Sequence, residues 1–319
     1  MKFNSQSVSI IMSVYNETDD MLIEAIESII NQTYKKFEYI IVLDNPMNKD
    51  AKNLILKYKE RDKRIVFVEN EKNIGLPLSL NRGINLAKFN LIARMDADDI
   101  SLHKRIEKQV KYFEENPNVD LISGQIEYID EDGYIIKKNK LKITSEELIY
   151  KMLPYSNPFT HPTWMFRKKI LNNLFGYRNI PSGQDYDFLL RAKSLGYTLR
   201  IIDDVLLKYR IRNNSISVSK RTQQQKMTLY IQKLYFQRRR NGFDTFNEKY
   251  IAESEKSRDY LKYKKSADIY LKYKSSINKR HYIKALVQLV CSLLYSKDQC
   301  KSIYNAIMVK IIFKKNTGI

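Results

Sequence analysis

Asp96-Ala97-Asp98-Asp99 is the densest concentration of chemistry in this chain. It follows Leu91-Ile92-Ala93-Arg94-Met95, a short apolar run of the kind that ends a buried strand. Three carboxylates at one strand terminus repel each other and lose hydration, which is costly unless a cation sits among them. Hard divalent ions prefer oxygen ligands, so the cation these acids suit is Mg2+ or Mn2+. A metal held by few protein ligands usually shares its shell with phosphate, and the motif therefore points to a nucleotide-diphosphate site. The competing reading of an isolated D-x-D-D is a solvated acidic turn that caps the next helix.

The elements that must carry this loop alternate between strand and helix. Residues 8–14 form an apolar, β-branched strand, and Leu22, Ile23, Ile26, Ile29 and Ile30 then recur at helical spacing. Phe37 to Leu43, Ile65 to Val68, Leu91 to Met95 and Val119 to Gly124 read as further strands. Helices are expected over Lys49 to Arg61, through Leu80 to Leu86, and over Leu102 to Glu115, where Asn116-Pro117 stops the last. Strands separated by helices of this length imply right-handed crossovers and a mostly parallel sheet flanked by helices, an α/β fold. Ligands of such sheets lie beyond the carboxyl ends of the strands, where Tyr15, Asp44, Asn73, Gly75 and Asp96 all fall.

The net charge of +20 is unevenly placed. Residues 220–319 hold 23 Lys and Arg against 7 Asp and Glu, whereas residues 1–219 hold 33 against 29. A basic tail of this kind attracts nucleic acid or an anionic bilayer, or is simply a solvated surface. Its apolar stripe of Ile283, Leu286, Leu289, Val290, Leu293 and Leu294 suits an amphipathic helix. Ile307, Val309, Ile311 and Ile312 suit another, and helical patterns also run from Ser219 to Gln237 and from Tyr250 to Tyr273. Such helices either lie on an anionic membrane or pack together as a cap. The two cysteines form no disulfide framework, and the N-terminal apolar run is too short for a signal core. No apolar stretch is long enough to span a bilayer, and the expected location is the cytoplasm.

The motifs taken in order resemble the family 2 glycosyltransferases, most nearly the bacterial enzymes that build capsule, exopolysaccharide or lipopolysaccharide. The resemblance rests on Ser9-Ile-Ile-Met-Ser-Val-Tyr-Asn-Glu17, Ser28-Ile-Ile-Asn-Gln-Thr33, Asn73-Ile-Gly75, Leu80-Asn-Arg-Gly-Ile84 and Ala93-Arg-Met-Asp-Ala-Asp-Asp99. Asn157 to Arg167, Gly183 to Arg191 and Tyr209 to Ser217 continue it. It covers roughly residues 6–218 and implies a GT-A fold over residues 1–218, with a nucleotide-sugar half (1–125) and an acceptor and catalytic-base half (126–218); the basic helical region over 219–319 lies beyond it. It also implies a nucleotide-sugar donor, a divalent metal, inversion at the anomeric carbon and a glycan or lipid-linked glycan acceptor at the inner face of the membrane.

Carried over by position, the resemblance makes Asp185 the catalytic base, with Asp187 as the rival. It assigns Val14, Tyr15, Glu17, Asp44, Asn73, Gly75, Asn81, Arg94, Asp96, Ala97, Asp98 and Arg212 to the donor, with Asp44 at the uracil edge of a UDP-sugar. Asp96 and Asp98 hold the metal. His161, Trp164 and Gln184 fall on the acceptor side, although Trp164, sitting before Met165-Phe166, reads more readily as core than as a sugar-stacking platform. The chain departs from the family at Leu43 and Gln184, where a second acid is common, at Leu80, where Arg is frequent, and at Arg212, where His is frequent. Two other classes compete. A nucleic-acid-binding protein would use the basic tail, but no zinc, RNP or recognition-helix signature supports it. A nucleotidyltransferase would carry a basic, Gly-rich loop after the first strand, where this chain has Tyr15-Asn16-Glu17.

Overall fold

A computed structural model describes residues 6–139, 145–212, 221–249, 251 and 257–317. Strands β1 (Val8–Val14), β2 (Phe37–Leu43), β3 (Ile65–Glu69) and β4 (Leu91–Asp96) pair in parallel in the order β3-β2-β1-β4. Every residue of β2 and all but Ser13 of β1 are buried, as the unbroken apolar runs of central parallel strands require. Helices α1 (Asp19–Ile30), α2 (Lys49–Arg61) and α3 (Leu76–Leu86) make the crossovers. At Gly83 of α3 an added Cβ would stand 2.6 Å from Ile11 Cγ2, so only glycine lets the helix sit this close to β1.

Beyond β4 the sheet becomes mixed. Strand β5 (Ile100–Ser101) is followed by α4 (Arg105–Glu115), β6 (Leu121–Ile129), β7 (Ile135–Asn139), α5 (Glu146–Met152), β8 (Met165–Arg167), α6 (Leu171–Leu174), α7 (Gln184–Ser194) and β9 (Leu199–Arg210). The order continues β4-β8-β6-β9-β5, with β6 and β9 parallel and the other pairings antiparallel. The helix expected from Leu102 starts three residues later. The Leu102 N–H donates to Leu206 O at 2.9 Å, so this backbone is spent on strand pairing with β9. The fifth expected strand also runs on, to Ile129, because β7 and β9 flank it.

The chain divides into two compact units, residues 1–149 with 158–213, and residues 150–157 with 214–319. The second is helical: α8 (Arg221–Asn241), α9 (Arg258–Asn278), α10 (Tyr282–Tyr295) and α11 (Lys297–Thr317). Residues 219 and 220 of one expected tail helix, and residues 250 and 252–256 of the other, lie outside the described residues, as do 213–217 of the motif after β9. Among the described residues no helix is long and apolar enough to cross a membrane. Cys291 and Cys300 are free and exposed.

Candidate active site

The strand order reverses direction at β1 and β4, and the crevice beyond their carboxyl ends is where an open α/β sheet binds its ligand. Ser13 pairs with Asp96 and Val14 with Leu43, so the three strand ends finish level. Asp96, Asp98 and Asp99 each place a carboxylate oxygen within 4.8 Å of the others. Ala97 between them is buried and keeps the turn tight against the core.

Crowding leaves a clear electrostatic mark. Burial, then the charges of Asp96 and Asp98, raise the pKa of Asp99 well above the carboxylate range. Burial and Asp96 raise that of Asp98. Asp99 Oδ1 accepts from the Arg210 N–H at 2.9 Å, but its Oδ2 is buried without a hydrogen-bond partner. An orphaned, buried carboxylate oxygen among two more acids is a donor set that fits a hard divalent cation.

Arginines partly offset the negative charge. Arg94 pairs with Asp96. Burial disfavours the Arg94 cation, but Asp96 beside it more than compensates and holds the guanidinium above its ordinary pKa. Arg212 places Nη1 3.2 Å from Asp98 Oδ2. Arg105, fully enclosed, donates to Arg94 O at 2.6 Å, and burial lowers its pKa to about 9. Arg210 binds the loop from behind: its side chain donates to Asp98 O at 2.9 Å, to Asp130 O at 3.1 Å and to Glu131 O at 2.7 Å, and pairs with Glu24. Sequence reasoning gave neither Arg105 nor Arg210 a role. For Arg210 the available signal was an arginine in a strand-like stretch, whereas Arg105 lies in a charged helical stretch that offered none.

The residues expected on the donor side lie mostly at or just beyond the carboxyl ends of β1, β2 and β3. Tyr15 is 44% exposed, and its N–H donates to Glu17 Oε2 at 2.7 Å. Glu17 has its pKa raised by burial, with the charges of Asp98 and Asp96 adding, which places it in the field of the acid loop. Val14 contributes backbone alone, since its side chain is buried and its carbonyl accepts from the Asp44 N–H at 2.8 Å. Asp44 is buried and organises the following loop. Its Oδ1 accepts from Asn70 Nδ2 at 2.7 Å and Ile74 N at 2.9 Å, and its Oδ2 from Gly75 N at 2.9 Å. Asn73 Oδ1 accepts from the same Gly75 N–H at 2.9 Å, and Gly75 adopts φ 84°, a left-handed conformation that suits glycine. The Asn81 amide grips both backbone groups of Tyr177, donating to its carbonyl and accepting from its N–H at 2.8 Å each.

Tyr177 links the acid loop to the second cluster. Burial raises its pKa, and Arg94, Asp185 and Asp96 all act electrostatically on its hydroxyl. Asp185 therefore shares a neighbourhood with the acid loop. It lies in the first turn of α7, half-buried, and the cap of that helix is Gly183, so Asp185 is not the capping residue. Asp187, the rival base, is corrected to a structural role. It has no exposed surface and is paired with Arg191 at 2.7 Å and Arg178 at 3.5 Å. Gln184 is buried at the start of α7. His161 is 8% exposed, and its Nε2 hydrogen-bonds the Tyr177 hydroxyl at 2.9 Å. Burial, with Arg94 adding, holds its pKa well below the ordinary imidazole range. Trp164 is a correction: it is fully buried against His161 and Phe188, so it is a core residue and no platform for a sugar.

The sequence pattern of glycosyl transferase family 2 matches residues 9–175, and the chain belongs to this family. An uncharacterized glycosyltransferase of Methanocaldococcus jannaschii is 42% identical over 73% of this chain and 81% of its own length. The O-antigen biosynthesis glycosyltransferase WbnJ of Escherichia coli is 36% identical over 66% of this chain and 82% of its own. The crystal structure of S. aureus TarS 1-349 in complex with UDP-GlcNAc superimposes with a TM-score of 0.59 at 14% identity, covering 98% of this chain and 92% of that one. The protein is a glycosyltransferase, and its fold is GT-A.

Proposed function

We propose that the chain is an inverting, divalent-metal-dependent transferase that moves a sugar from a UDP-sugar to a hydroxyl of a growing surface polysaccharide or lipid-linked glycan. The observation that carries this reading is the meeting of Asp96, Asp98 and Asp99 within 4.8 Å, with Asp99 Oδ2 buried and unbonded. Asp96 and Asp98 are the residues that would hold Mn2+ or Mg2+, which when bound neutralises charge growing on the departing diphosphate. The exposed ring of Tyr15 suits stacking on the base. Asp44 Oδ2 accepts a single bond and keeps capacity for one more donor, such as the edge of uracil. The UDP-GlcNAc bound by TarS and the O-antigen role in the name of WbnJ support the donor and polymer classes.

Asp185 is the base. Its carboxylate takes the proton of the acceptor hydroxyl as that oxygen attacks the anomeric carbon from the face opposite the diphosphate, and one displacement inverts the centre. Arg212 supplies a permanent positive charge on the leaving-group side, and His161 and Gln184 border the acceptor. The enzyme works in the cytoplasm at the inner face of the cell membrane, where the basic C-terminal region meets anionic lipid.

A panel of nucleotide sugars tested by thermal melting with Mn2+, Mg2+ or EDTA decides the reading. One UDP-sugar at about 100 times its dissociation constant should add roughly 2.7 kcal/mol of stability, and EDTA should abolish most of it. Indifference to metal with every donor overturns the proposal.

A further inference from the structure

Helix α10 turns Ala285, Gln288 and Ser292 inward and most of its large apolar residues outward, with Leu289 and Leu293 half-covered between the two faces. Ala285 and Ser292 are buried, and Gln288 is half-covered on the same stripe. That stripe is bonded to α9. Ser266 Oγ donates to Ser292 O at 2.6 Å, Ser292 Oγ to Ser266 O at 3.0 Å, and Ser276 Oγ to Gln288 Oε1 at 2.8 Å. The opposite stripe is Ile283, Leu286, Val287, Val290 and Leu294, at i, i+3, i+4, i+7 and i+11. These five side chains are 84, 62, 57, 47 and 83% exposed. Single exposed aliphatics are ordinary, but five in one continuous stripe mark a surface that another phase or molecule covers.

The surrounding charge says what covers it. Lys279, Arg280, Lys284 and Lys297 are all exposed around the ends and flank of the helix. No acidic residue occurs between Asp268 and Asp298. The complement to this surface is apolar at its centre and anionic at its rim. A second copy of the chain would set the same basic rim against itself. An anionic bilayer offers acyl chains below and phosphates above. The helix has 14 residues, about 21 Å of length at 1.5 Å per residue, which suits lying in the interface and is too short to span.

We propose that α10 inserts into the headgroup region of an anionic membrane, with the Ile283–Leu294 stripe among the acyl chains and the basic rim among the phosphates. This rests on the membrane-face reading above and goes further, in naming the element and in making the contact hydrophobic rather than purely electrostatic.

The test is co-sedimentation of the full chain with vesicles of phosphatidylcholine alone or mixed with phosphatidylglycerol, at low and high salt. Wild type should bind the mixed vesicles and retain part of that binding at high salt. Ile283→Gln combined with Leu294→Gln should weaken binding at least tenfold while leaving the melting temperature and sugar transfer to a soluble acceptor unchanged. A Leu294→Trp variant, excited beside wild type, should gain a blue-shifted emission on mixed vesicles. Binding that salt abolishes and the double substitution does not touch overturns insertion while leaving the electrostatic membrane reading intact. No binding of wild type to either vesicle sinks both. A wild-type dimer in solution that the double substitution dissolves also overturns the proposal, because the stripe then belongs to a second copy.

Discussion

Arg212 reaches back from beyond the end of β9 to Asp98, its Nη1 standing 3.2 Å from Oδ2. The guanidinium thus lies against one of the carboxylates proposed for the metal. Its forked N–H donors match the geometry of a carboxylate or a phosphate. Arg212→Ala should raise the affinity for Mn2+ alone, because a competing cation leaves Asp98. The same change should slow sugar transfer by roughly 10- to 100-fold, the worth of one charged hydrogen bond to the leaving diphosphate. Calorimetric metal titration and initial rates measure the two effects, and a variant unchanged in both would remove Arg212 from the site.

Asp185 and Asp187 sit two residues apart on α7 and should fail in different ways. Asp185→Asn should lower turnover by about 100- to 10,000-fold while thermal stabilisation by donor persists. Asp187→Asn leaves Arg191 short of its buried partner and should cost about 3–5 kcal/mol of stability. Rate measurements and urea melts on both variants separate a base from a buried ion pair. The assignment fails if Asp185→Asn keeps near-normal turnover.

What the sequence revealed and what it hid follow from the range of the interactions involved. The bounds of β1, β2 and α2 could be read to the residue, because a buried parallel strand is an unbroken apolar run and α2 carries its periodicity locally. The acid loop was equally visible, since three carboxylates in four residues announce themselves. The short β5 was not, because Ile100 is held by Lys208 across more than a hundred residues. Nor was the grip of Asn81 on Tyr177, or the reach of Arg210 to Asp98, Asp130 and Glu24. Trp164 could be either core or platform by type, and only its burial decides. The stripe on α10 was legible as a helical face, but periodicity fixes a face and not the direction in which it points.

Asp44 should reveal its loop-holding role when replaced by Asn. The Gly75 N–H and the new amide N–H2 would then compete for the same space, or Ile74 and Asn70 would lose their acceptor. Each buried donor left unpaired costs about 1–3 kcal/mol. The expected result is a lowered melting temperature together with weaker UDP binding by calorimetry. Loss of UDP affinity at unchanged stability would mean that Asp44 reads the base without shaping the loop.

His161 predicts a pH dependence whose sign is fixed by its environment. Burial, with the nearby Arg94 charge, holds its pKa well below 6.5 in the folded chain. The unfolded chain, with an ordinary imidazole, binds a proton near pH 6.5 while the folded chain does not. The contribution of the neutral ring is therefore complete above pH 6.5 and is lost progressively as the pH falls toward the folded value. His161→Gln keeps a polar partner for the Tyr177 hydroxyl and removes the titration. Wild-type stability relative to this variant should be flat from pH 7 to 8. Below pH 6 it should drop by up to about 1.4 kcal/mol per unit. Urea unfolding at half-unit steps measures the difference, and a gap that stays constant down to pH 5 would show that the imidazole is charged in the fold.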